Sequence, residues 1–160
     1  MIGLLGVIIG SCSTGYYQIK TLKSQNSIKF IEQYSRNMQI INTCKNQLKQ
    51  SILKFGDSST IKINYAAAEK VNQIYFECIQ STYNLIYLSH AVNANDSGLN
   101  CYSELLNNNK TKFNEILHRF VGKPIPIAEI DPLIGNQNRN WDSCQQKTQE
   151  DFEIFSKNQF

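Results

Sequence analysis

Five cysteines carry most of the chemistry open to this 160-residue chain: Cys12, Cys44, Cys78, Cys101 and Cys144. No two stand close enough for a Cys-x-x-Cys redox pair or a zinc-ligand spacing. In an exported chain, Cys44, Cys78, Cys101 and Cys144 form an even set suited to two disulfides, which leaves Cys12 over. The two histidines offer less. Glu115 and His118 form Glu-x-x-His, one arm of a di-iron carboxylate site, but that site needs a second arm and two more glutamates. His90 has Tyr87 three residues before it, not Glu. Glu115 and His118 therefore read as a surface pair. No Gly-rich phosphate loop or nucleophile elbow occurs. The expectation is no catalytic residue, no metal, no other cofactor, and action by binding rather than as an enzyme.

Two further groups bear on binding. Tyr75, Phe76, Tyr83, Tyr87 and Tyr102 cluster in the middle of the chain. They suit either a groove for a partner or a core with hydroxyls at its rim. Trp141, in "NQNRNWDSC", suits either recognition or an N-terminal helix turn with its indole in the core.

Composition narrows the partners. Apolar residues make up 41% and charged residues 18%, while Asn and Gln supply 31 positions. The net charge of +3 is too small to argue for nucleic acid. Its distribution is uneven. Between Tyr16 and Gly56 stand Lys20, Lys23, Lys29, Arg36, Lys45, Lys49 and Lys54 against Glu32 alone, whereas acids outnumber bases from Glu129 onward. The two stretches suit solvated faces that attract one another, or a first helix lying near anionic head groups.

The N-terminus speaks to location. Ile2 to Ile9 is apolar apart from Gly3 and Gly6, too short to span a bilayer but of the length of a signal peptide's apolar segment. Gly10 and Ser11 then precede Cys12. Ile9-Gly10-Ser11-Cys12 resembles the lipobox of the bacterial lipoproteins: an aliphatic residue, two small residues and the cysteine. That family carries Lys or Arg ahead of the apolar run, which "MIGLLGVIIG" does not, so the resemblance rests on the lipobox. It implies cleavage before Cys12, acylation of its sulfur and new amino group, and, with Ser13 following, direction to the outer membrane. It implies no biochemical activity.

The elements that must position these groups are helical. Residues 13–27 show little apolar periodicity and read as a tether. Ile31, Tyr34, Met38, Ile41, Leu48, Ile52 and Phe55 then recur at three and four, with Lys45 at the one skipped position, and stop at Gly56. A second helix fits 61–92 and ends at "NANDSG". A third runs from Leu99 to Phe120. Residues 123–138 hold Pro124, Pro126 and Pro132 and predict a long non-helical crossover. The last helix carries Trp141, Cys144, Thr148, Phe152 and Phe155.

These patterns predict an all-α, four-helix bundle-like domain over 28–160, preceded by a signal peptide (1–11) and a lipidated tether (12–27). At 1.5 Å per residue, an antiparallel first hairpin brings Cys44 and Cys78 within about two turns of each other along the axis, an offset that helix tilt must absorb, and the crossover returns the last helix to Cys101. Cys44–Cys78 with Cys101–Cys144 is therefore the favoured pairing of three. The functional expectation is an exported, lipid-anchored binding protein on the periplasmic face of the outer membrane, an accessory part of an envelope or secretion assembly. Its partners would be the membrane, through the lipid, and a protein. The alternative is a small exported inhibitor or immunity-type protein blocking a lytic enzyme or toxin. That alternative would present "GKPIPIAEIDPLIG" (122–135) as a short rigid loop, and Ile125, Ile127, Ile130, Leu133 and Trp141 are the candidate partner-contact residues.

Overall fold

Apolar side chains at helical spacing produce four helices among the described residues, in a computed structural model. It describes residues 2–53, 60–62 and 65–158, and the side chains of 17–53, 60–62, 65–133 and 139–158. The order is α1 (Ile2–Leu53), β1 (Thr60–Ile61), α2 (Tyr65–Val92), α3 (Ser97–Arg119), β2 (Ile125–Pro126) and α4 (Ile127–Lys157). No helix among the described residues is long and apolar enough to cross a membrane.

Each helix packs antiparallel on the next, and the four enclose one core. Trp141, Tyr75, Tyr102, Phe113, Ile41 and Leu48 are among its largest fully buried members. Both expected disulfides are present: Cys44–Cys78 joins α1 to α2, and Cys101–Cys144 joins α3 to α4. Such a pair of bonds points to folding in an oxidising, non-cytoplasmic compartment. The α1–α4 side is closed by aromatics. Tyr34 stacks on Phe152 with centroids 3.8 Å apart, Phe30 meets Phe155 edge-on, and Lys45 pairs with Asp142 at 2.9 Å. That ion pair joins the basic and acidic stretches of the chain.

The structure corrects the expected elements in three places. First, α1 runs unbroken through 13–27, the stretch expected as a tether. Its 52 residues extend about 78 Å, against about 42 Å for α2. Lys20, Lys23 and Ser27 lie beside Ala91 and Val92 at the end of α2, so the helix continues past the bundle as a stem. Second, Cys44, not Lys45, occupies the level skipped by the α1 stripe, and Phe30 is buried above it. Phe55 and Gly56 lie outside the described residues.

Third, the expected crossover is largely helix. Only residues 120–126 separate α3 from α4, and Pro132 sits inside α4. The reason is phase. Ile127, Ile130 and Leu133 fall on the same stripe as Trp141, Cys144 and Thr148, and burying that stripe outweighs one lost backbone bond in the second turn. Gly122, at a φ of 69°, makes the turn after α3. Ile125 then pairs with Ile61 in a two-strand ladder that plugs this end of the core. Pro126, with no N–H to give, stands opposite Thr60 on the edge of that ladder.

At the other end, Asn93 takes a φ of 54° and closes α2, its successor Ala94 donating to the Ser89 carbonyl. The first turn of α3 is capped from α4. The buried Asp151 carboxylate accepts from the Gly98 N–H, the Ser97 hydroxyl and the Asn95 amide.

Candidate partner-binding surface

An α-helix turns roughly 100° per residue, so Tyr65, Phe76, Tyr83 and Tyr87 of α2 all project within about 40° of one another. They are not core residues. Their exposures are 86%, 59%, 51% and 76%, so a ridge of four aromatics about 33 Å long faces solvent along most of α2. Monomeric surfaces carry single exposed aromatics without consequence, but an aligned series of them marks an interaction face. The Tyr83 hydroxyl is steadied by the Asn107 amide of α3, which donates to it at 3.4 Å.

The ridge is flanked by two hollows. At its N-terminal end, the start of α2, the end of α3 and β2 enclose an apolar pocket of about 560 Å³. Ala68, Asn72, Leu117, Phe120 and Val121 line it beside Tyr65, and Ile125 forms its floor. The Asn72 Oδ1 is buried with no hydrogen-bond partner. Along the other flank, α1 and α2 form a groove of about 680 Å³ lined by Lys29, Arg36, Ile40, Gln80, Asn84 and Tyr87. Both volumes fall in the usual range of binding pockets.

The structure divides the residues singled out in the sequence. Of the expected contact residues, Ile125, Ile130, Leu133 and Trp141 are buried and Ile127 is half-buried, so none offers an open face. Trp141 meets Tyr102 edge-on in the core. Of the aromatic cluster, Tyr75 and Tyr102 are core and Phe76, Tyr83 and Tyr87 are surface. Glu115 and His118 are exposed, and no group of three or more potential metal ligands occurs among the described residues. His90 instead pairs with Asp96 at 2.6 Å, across the turn between α2 and α3. Cys12 lies on α1, with its side chain outside the described residues.

The buried tyrosines shape the electrostatics. Burial, reinforced by the Asp151 and Glu153 carboxylates, pushes the Tyr34 hydroxyl up to about 12. Burial alone pushes Tyr75 upward, and burial with smaller contributions from Tyr34 and Asp142 does so for Tyr102. All three serve as neutral packing groups rather than acids or bases.

Sequence reasoning placed Tyr65 inside a second helix expected from Ile61, whereas α2 starts at Tyr65 and Ile61 lies in β1, and it left Tyr65 out of the aromatic group because ten residues separate it from Tyr75. The eleven-residue interval from Tyr65 to Phe76, three turns of helix, is the signal that finds it. No protein-family model, no curated protein and no solved structure matches the chain.

Proposed function

We propose that this is an exported, lipid-anchored protein that acts by binding, as an accessory component of an envelope or secretion assembly, with the α2 ridge as its contact face. The observation that carries the binding half is the alignment of Tyr65, Phe76, Tyr83 and Tyr87 on one exposed face of a disulfide-stapled bundle. A rigid scaffold presenting aromatics beside pockets is the usual form of an interaction hot spot. Support for the anchored half comes from the Ile9-Gly10-Ser11-Cys12 motif. It also comes from the stem, where exposed Tyr17, Ile19 and Leu22 alternate with Lys20 and Lys23. The inhibitor alternative would present residues 122–135 as a short rigid loop; most of that segment is helix, with Ile125, Ile130 and Leu133 buried, so it offers less support for that reading.

Two measurements test this reading. Cells fed a labelled fatty acid should label the wild-type chain and not Cys12→Ser, and equal labelling would remove the lipid anchor. A photo-crosslinking residue at Phe76 or Tyr87 should capture a protein in cells, with no capture from the exposed control positions Lys112 and Lys123. Capture from the controls alone would remove the ridge.

A further inference from the structure

Phe76 lies eleven residues after Tyr65 and eleven before Tyr87. Three of the four ridge residues are therefore placed symmetrically about Phe76, Tyr83 alone having no aromatic mate, and we infer that the occupant of the ridge is a second copy of the same chain, paired antiparallel through α2 about a two-fold axis at Phe76. The inference rests on the ridge being the contact face. In that pairing Phe76 meets Phe76 of the second copy, and each Tyr65 meets the other copy's Tyr87.

The remaining positions agree with this register. Glu69, the one charged residue within the stripe, falls opposite Tyr83 of the second copy, whose hydroxyl is a donor for its carboxylate. Asn72 falls opposite Gln80, amide to amide. A parallel pairing would set Glu69 against Glu69, like charge on like charge. The hollows agree as well. Tyr87, the most protruding residue at its end of the ridge, arrives in the second copy beside Tyr65, where the 560 Å³ apolar pocket opens. The phenol ring fills the space between Ala68, Leu117 and Val121. Its hydroxyl supplies a donor for the unpartnered Asn72 Oδ1 once that amide turns outward.

A two-fold axis makes this knob-and-pocket contact twice, the closed arrangement commonest among oligomers. A foreign helix would need no such symmetry in the ridge. Antiparallel pairing sends the two stems out at opposite ends. Both reach one membrane when the bundle axes lie along it, the posture for which the exposed Tyr17, Ile19 and Leu22 with Lys20 and Lys23 are suited.

Single cysteines read the register directly. In the full chain carrying Cys12→Ser, the other four thiols are in disulfides, so an introduced cysteine has only its own symmetry mate to oxidise with. Phe76→Cys should give a covalent species of twice the 18.3 kDa chain mass. Tyr65→Cys and Tyr87→Cys should each stay monomeric on oxidation, and an equimolar mixture of the two should crosslink. Sedimentation should show a concentration-dependent dimer that Phe76→Glu abolishes while helix content is retained. Failure of Phe76→Cys to crosslink, or self-crosslinking of Tyr87→Cys alone, would overturn the proposal. If photo-crosslinks from the ridge reach a different protein and no thiol dimer forms, the ridge stands as a contact face and the second copy falls. If neither forms, both fall together.

Discussion

The carboxylate of Asp151, three turns into the second half of α4, accepts the backbone N–H of Gly98 at 2.9 Å in the first turn of α3. One buried acid on one helix thus supplies the N-terminal cap of another. The same crossing brings the helices so close that a Cβ on Gly98 would collide with the backbone nitrogen of Thr148. Gly98→Ala should therefore cost about 1–3 kcal/mol by forcing the helices apart, and Asp151→Ala about the same by leaving the cap donors unpaired. Because both act on one contact, the double variant should lose less than the sum. Urea denaturation checks this, and an unchanged midpoint for Gly98→Ala would contradict the close approach.

The disulfides close sequence separations of 34 and 43 residues. By the chain-entropy relation each should contribute about 3–4 kcal/mol. The oxidised protein should show no titratable thiol among Cys44, Cys78, Cys101 and Cys144. Reduction should shift the denaturation midpoint downward, and a midpoint indifferent to reductant would show that packing alone holds the bundle.

Alkaline pH should weaken the fold. Tyr34, Tyr75 and Tyr102 all have folded-state values above the ordinary tyrosine value near 10. Below that value both states hold the proton, and the stability is fully present. Above it the unfolded chain loses protons that the folded chain keeps, so stability falls progressively toward pH 12. Denaturation series between pH 8 and pH 11, chosen as the measurement window around that value, should show a midpoint that declines only in the upper part. A midpoint that rises there would contradict the burial of these hydroxyls.

The hydroxyls of Tyr75 and Tyr102 are buried without a hydrogen-bond partner among the described residues. Deleting them removes an uncompensated polar group and leaves the ring packing intact. Tyr75→Phe and Tyr102→Phe should be neutral or stabilising, by up to about 1 kcal/mol. Trp141→Ala, which empties the space against Tyr102, should cost about 3–5 kcal/mol. Losses of similar size for the Phe variants would mean that the hydroxyls are bonded, through water, in solution.

The legible parts of this fold were those dictated by periodicity. The stop at 93–98, the three- and four-residue stripes and the axial levels of the cysteines follow from helix geometry, and with them the disulfide pairing. The start of α4 was obscured because three prolines in 123–138 suggest a breaker, although Ile127, Ile130 and Leu133 already keep phase with Trp141. A proline in the second turn costs one hydrogen bond, which local signals cannot weigh against burial elsewhere. Asp151 as the cap of α3 was invisible for a different reason: its partners lie more than fifty residues away. The ridge was half visible. Tyr75 and Phe76 are adjacent aromatics, and only the packing of α2 on α1 and α3 decides that the more polar Tyr75 turns inward and Phe76 outward.

The unbroken run of α1 from the stem into the bundle gives the molecule a clocking relation between its foot and its face. In a flexible tether, the length would matter and the exact residue count would not. In a continuous helix every residue added between Tyr17 and Ser27 advances the foot by about 100° about the axis and shifts it about 1.5 Å along that axis. One inserted residue would therefore swing the α2 ridge away from its heading relative to whatever holds the N-terminal segment. Seven would restore that heading nearly in full while moving the bundle about 10 Å farther along the helix axis. The stem thus works as a spindle, setting azimuth as well as reach along its axis, and its residue count is part of how the ridge is aimed.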